Sequence, residues 1–193
     1  MLLETICIHN NQVVNIHLHT QRMQTSAENI GFIAPHLPNL VDIMPRSLAN
    51  KRVRCSIKYD TDIIDILFVE YTPRVIRSLK VIEADISYSL KFADRQPLNQ
   101  LLLQKGDCDE VLIVRDSFIT DTTFSNVVFE NSEGLFTPDT YLLNGTKRQK
   151  LISEGVVKET RISQNDLHKY SRVHLVNAML DIGMSVVNIR NIR

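Results

Sequence analysis

Lys91 stands in Tyr88-Ser-Leu-Lys-Phe-Ala-Asp-Arg95, after a semi-apolar stretch and just before a helical one. Burial lowers the pKa of a lysine, and the released lone pair can act as nucleophile or base; a solvated lysine at a helix start gives the same pattern. In Leu142-Leu-Asn-Gly145-Thr146-Lys147-Arg148 a glycine opens a helix. First-turn N–H groups lack intrahelical partners and suit an anion, and glycine lets a phosphate approach. Ordinary helix initiation reads the same way, and the lysine and hydroxyl positions of a full P-loop are absent. Asp121 opens a small polar run, Thr122-Thr123, before a strand. It is either a carboxylate turned into a site or a hairpin-end aspartate. The acidic stretch Asp107-Cys-Asp-Glu110 reads as a solvated loop. His17 and His19 would share one face of a strand, as metal ligands do. No Asp, Glu or Cys stands at ligand spacing from them, so no metal is expected. Arg22 offers an anion a bidentate fork, or is a surface charge.

The elements that position these residues come from a chain of 193 residues, 44% hydrophobic and 23% charged. Lys plus Arg and Asp plus Glu are each 22, a balance of +0. Nucleic-acid binding normally shows as a basic excess, so none is expected. Cys7, Cys55 and Cys108 are odd in number, widely spaced and without a metal motif. They read as free thiols in a reducing compartment. The start resembles no signal peptide, and no apolar run is long enough for a membrane helix. A cytoplasmic protein is expected.

Leu3 to Ile8, the turn-prone Asn10-Asn11 and Val13-Val14 predict a hairpin. Met23, Ala27 and Ile30 recur at helical spacing from about His19, and Gly31 stops the run. Strands are predicted over 52–59 and 63–69, followed by a linker at Thr72-Pro73. Beyond it come a strand over 79–82, a helix capped by Asp94 and running to about Lys105, and strands over 111–114, 124–129 and 134–137. A helix from Gly145 to Gly155 and strands over 156–162 and 173–176 complete an α+β class. The expected domains are 1–72, small and α/β, and 77–193, larger and richer in strands.

The order of these features resembles the class IV aminotransferases, the fold-type IV enzymes that use pyridoxal 5′-phosphate (PLP). Glu4-Thr5-Ile6 and then His19-x-x-Arg22-Met23 with Ser26-Ala27 look like the family's opening. Lys91-Phe-Ala-Asp-Arg95 is similar to its Schiff-base lysine segment. Asp109-Glu110-Val-Leu-Ile-Val114, Ile119-Thr-Asp121, Ser125-Asn126-Val-Val-Phe129, Thr137-Pro138 and Leu143-Asn-Gly145-Thr-Lys-Arg148 follow in the family's order, as does Asn177-Ala178-Met179. The match spans nearly the whole chain. In the family, further strands precede the Glu4 motif, so the resemblance implies a short first domain here.

The resemblance implies a small α/β domain, a larger pseudo-barrel domain and a homodimer. It makes Lys91 the catalytic base that also carries the cofactor. Asp121 stands where the family usually has Glu, beside the pyridine nitrogen; a carboxylate there keeps that nitrogen protonated. Arg22, the N–H groups of Thr146 and Lys147, and the Asn177 side chain would hold the 5′-phosphate. Arg95, four residues after Lys91, and Lys147, where many aminotransferases have threonine, are similar to 4-amino-4-deoxychorismate lyases. Arg95 is also a candidate for a substrate carboxylate. The implied reaction eliminates pyruvate from 4-amino-4-deoxychorismate and leaves 4-aminobenzoate, a folate precursor. The alternatives are a class IV aminotransferase for a branched-chain or D-amino acid, and a PLP-binding or degenerate non-catalytic scaffold.

Overall fold

Strand β1 (Leu2–His9) places Leu2, Glu4, Ile6 and Ile8 at every second position, and all four are buried. A strand alternates its side chains between two faces, so this series forms one core face with an acid set into it. The computed structural model describes residues 1–193 as two compact units. The first comprises Met1–Thr72 and Leu90–Asp94, the second Pro73–Ser89 and Arg95–Arg193.

In the first unit, β1 turns through Asn10-Asn11 into the short β2 (Gln12–Val13). Both asparagines have positive φ, as a tight hairpin requires. Helix α1 (Ile16–Ile30) follows and ends at Gly31, whose φ of 91° is left-handed and whose N–H reaches the carbonyls of Ala27 and Glu28. Strands β3 (Arg52–Tyr59) and β4 (Ile63–Glu70) complete an antiparallel sheet of order β2-β1-β3-β4. Val53, Cys55 and Ile57 of β3 pack with Ile6, Ile8, Leu40 and Met44, while Met23 of α1 packs with Leu2 and Tyr59.

The second unit opens with β5 (Leu79–Glu83), α2 (Gln96–Leu102) and β6 (Glu110–Arg115). β6 runs parallel to β5 and antiparallel to β7 (Phe118–Thr122). Strands β8 (Asn126–Asn131) and β9 (Gly134–Pro138), helix α3 (Thr146–Ser153), and strands β10 (Lys158–Thr160), β11 (Arg172–Val176) and β12 (Val186–Asn188) follow. They build a second sheet of order β10-β9-β8-β11-β12. Leu112, Val114 and Ile119 from one sheet share a core with Val127, Phe129, Val173 and Leu175 from the other. Val111 and Ile113, on the opposite face of β6, pack under Leu98 and Leu101 of α2. A strand covered on both faces reads as a continuous apolar run, which is why Val111-Leu-Ile-Val114 lacks alternation.

Four local expectations change. The predicted second domain held Lys91, whereas residues 90–94 join the first unit. Leu3 N–H donates to the Lys91 carbonyl at 2.9 Å, and Leu2 pairs with Phe92. Helix α2 starts at Gln96 rather than behind an Asp94 cap, because Pro97 needs no N–H partner in a first turn. Asp121 lies inside strand β7, not at a hairpin end. His17 and His19 sit on α1 rather than on a strand, and two helical steps turn them about 200° apart. His17 is exposed and His19 buried.

Candidate active site

In the first unit the polar centre is Glu4. Its carboxylate is 1% exposed, and burying such a charge costs several kcal/mol, a cost that only a well-placed partner offsets. Helix α1 supplies the partners from two positions three apart, which share a helix face. Arg22 donates from Nε to Glu4 Oε1 and from Nη2 to Oε2, each at 2.7 Å. His19 donates from Nδ1 to Oε2 at 2.8 Å. Burial opposes the Glu4 charge, yet the Arg22 guanidinium and the two partners' hydrogen bonds prevail and hold its carboxyl far below the usual range. The His19 pKa is lowered, first by burial, with the Arg22 and Lys91 charges acting in the same direction against the Glu4 contacts. His19 is therefore neutral at pH 7, with its proton on Nδ1. Lys91 lies within electrostatic reach of this group, on the segment hydrogen-bonded beside Leu3. Sequence alone points to Arg22 and Lys91, but not to Glu4, as site residues. An acid in phase with Leu2, Ile6 and Ile8 was the signal for it.

In the second unit Asp121 plays the equivalent part. Its Oδ1 accepts from Asn126 Nδ2 at 2.7 Å, and its Oδ2 from the N–H groups of Leu142 and Leu143 at 2.9 and 3.0 Å. Burial pushes its pKa up to about 6, against those three hydrogen bonds. Asn126 also donates to the Leu143 carbonyl at 2.8 Å. A strand carboxylate thus fixes the approach to Gly145, the residue that starts α3. A Cβ at Gly145 would overlap Asn126 Oδ1, so the glycine answers to a close approach and not to a special φ.

Helix α3 begins with no side-chain cap and no acid in its first turn. Thr146, Lys147 and Arg148 there are all buried. Lys147 Nζ pairs with Asp181, and Arg148 with Glu159 while lying over the Tyr141 ring. Asn177, on the turn after β11, accepts at Oδ1 from the N–H groups of Met179 and Leu180 and donates from Nδ2 to the Phe124 carbonyl. Its amide braces a turn on each side.

Arg95 donates from Nη2 to the carbonyl of Thr123, and Thr123 donates from Oγ1 to Glu110 Oε1 at 2.8 Å. The acidic stretch predicts a solvated loop at Glu110. Glu110 is fully buried, because β6 begins there and the side chain turns inward to Thr123. No three His, Cys, Asp or Glu side chains come together as metal ligands. No helix is long and apolar enough to cross a membrane.

Residues 95–192 match the family model described as amino-transferase class IV. An uncharacterized protein of Haemophilus influenzae is 38% identical over 182 residues, covering 92% of this chain and 97% of that one. The crystal structure of a proposed 4-amino-4-deoxychorismate lyase from Haemophilus somnus superposes with a TM-score of 0.84 at 34% identity, covering 94% of this chain and 97% of that one. A hypothetical aminotransferase from Mycobacterium tuberculosis, in a PLP-bound form, shares the fold with a TM-score of 0.79 at 16% identity, over 99% of this chain and 80% of that one. With the family model covering half of its length and mixed sheets and few helices of the fold-type IV pattern, the chain belongs to the class IV aminotransferase family.

Proposed function

We propose that this chain is a PLP-dependent enzyme acting on an amino carboxylate, and that its reaction is the elimination of pyruvate from 4-amino-4-deoxychorismate. The observation that carries the cofactor reading is Asp121. A carboxylate burial-shifted to about 6 is poised for a cationic N–H partner, and three protein donors leave it acceptor capacity on Oδ1. The uncapped first turn of α3, with Lys147 and Arg148 in it, suits a phosphate in charge and in donors. The residues present therefore fit the group.

Asp121 would face the pyridine nitrogen, and the N–H groups of Thr146 and Lys147 the phosphate. Arg22 would add a guanidinium already oriented by Glu4 through Nε and Nη2. Asn177 would contribute by holding its turn and the Phe124 carbonyl in place. When bound, the cofactor withdraws electron density from the substrate carbon that carries the amine. Lys91 Nζ would take the proton from that carbon. Arg95 would act through the Thr123 turn, since its Nη2 is engaged there.

The 34% identity to the Haemophilus somnus protein supports the lyase over the other chemistries of the family. The family's description favours transamination as a second reading, in which the same base serves a different proton destination. A visible spectrum of the purified protein, before and after borohydride, tests the cofactor. A band lost on reduction, with the PLP mass on the Lys91 peptide, is the expected result. A protein that stays colourless after incubation with PLP overturns both enzyme readings and leaves the scaffold. Pyruvate released from 4-amino-4-deoxychorismate without a co-substrate supports the lyase, and an amino group passed to a 2-oxo acid supports the transaminase.

A further inference from the structure

We propose that Lys147 and Asp181 form an exchangeable ion pair at the start of α3: Asp181 holds the Lys147 ammonium until a phosphate group arrives, and Lys147 then turns to the phosphate. The proposal rests on the cofactor reading above and adds a regulating carboxylate to its phosphate side.

Lys147 is the second residue of α3, and its side chain is only 8% exposed. A cation there is out of place, since a helix N-terminus carries partial positive charge and favours anions. Arg148, the next residue, is also buried, and its Nε has no partner. Arg148 is otherwise well matched, by Glu159, the Pro138 carbonyl, Asn144 and the Tyr141 ring. Lys147 pairs with Asp181, whose side chain is 49% exposed.

That asymmetry gives the pair its direction. A buried ammonium gains strongly from a second anion, because little water competes for it. A half-exposed carboxylate loses little on release, because water takes over its lone pairs. The turn that carries Asp181 is itself held in place. Asn177 Oδ1 fixes the turn before Asp181, and Gly183, at φ 89°, takes the bend after it. Two side-chain rotations complete the change, and the pair so tunes how tightly a phosphate is held.

A purely structural clamp would behave differently. Breaking it from either end would loosen the Asn177 turn and weaken binding. Competition instead gives the two ends opposite signs. The test titrates the apo protein with PLP, and with pyridoxal, which lacks the phosphate. Asp181→Asn should bind PLP about tenfold more tightly and Lys147→Gln about tenfold more weakly, the range of a charge-assisted hydrogen bond. Pyridoxal affinity should stay unchanged in both, and the gain from Asp181→Asn should vanish in the Lys147→Gln background. Unchanged or weaker PLP binding by Asp181→Asn overturns the proposal, as does a parallel change for pyridoxal. Asp181→Asn alters a half-exposed side chain and decides the matter alone if Lys147→Gln does not fold. A wild-type chain that binds neither compound overturns the cofactor reading, a result visible before any variant is compared.

Discussion

Asn126 donates from Nδ2 to Asp121 Oδ1 at 2.7 Å, and its own Oδ1 occupies the space a side chain at position 145 would need. One amide therefore orients the buried carboxylate and sets how closely α3 can approach β8. Gly145→Ala should drive Asn126 off both Asp121 and the Leu143 carbonyl. An overpacked site of this kind costs about 1–3 kcal/mol. Urea unfolding should show that loss. The companion Asn126→Gly, Gly145→Ala double variant, with space restored, should not add the two single costs. Strict additivity would mean that the contact is unimportant.

Asp121 has a raised pKa in the folded chain, so its linkage has the sign opposite to that of most carboxylates. Its contribution is full below the unfolded value near 3.8 and is lost as pH rises through about 6. The apo protein should lose stability from this group between those limits. Urea midpoints of the apo protein from pH 4 to 7.5 measure the slope, and Asp121→Asn should remove that share of it. An identical slope in the variant would show that the group titrates normally.

Glu4 runs the other way. Its folded pKa is lowered, so its contribution is present above the unfolded value near 4.5 and fades as pH falls toward the folded one. His19, also lowered, adds to the loss on the acid side, since below about 6.5 the unfolded chain takes up a proton that the buried ring does not. Glu4→Gln keeps the shape but takes from the partly buried Arg22 its Glu4 counter-charge, a loss of about 2–4 kcal/mol at neutral pH. The deficit against wild type should shrink as pH is lowered. A deficit constant with pH would place the cost in packing and not in charge.

Much of this arrangement was legible in the chain because it follows period and punctuation. The alternation of β1 and β3, the spacing of Met23 and Ala27, and the stop at Gly31 each express a local rule, and the structure obeys them. What escaped was set by distant partners. Residues 90–94 leave the second unit because β1 offers them backbone donors and acceptors some 90 positions earlier in sequence. Glu110 looks solvated beside Asp107 and Asp109, yet a threonine thirteen residues on accepts the task of pairing it. Asp121 is visible in the sequence, but its backbone partners at 142 and 143 carry no side-chain signature at all.

Arg95 is engaged with the protein's own backbone. The sequence suggests a cation for a substrate carboxylate, whereas its Nη2 donates to the carbonyl of buried Thr123, next to the Phe124 carbonyl that Asn177 holds. Thr123 in turn supplies the hydrogen bond that satisfies one oxygen of Glu110, while the other oxygen has Arg74 Nη2 at 3.7 Å. Arg95→Met keeps the aliphatic stem but strands the Thr123 carbonyl, a loss of about 1–3 kcal/mol. Urea unfolding of the apo protein reads that loss without any substrate. Arg95→Lys should restore part of it, since an ammonium can still donate but cannot reproduce the planar fork. If Arg95 instead met a substrate directly, Arg95→Met would leave stability unchanged and raise KM alone.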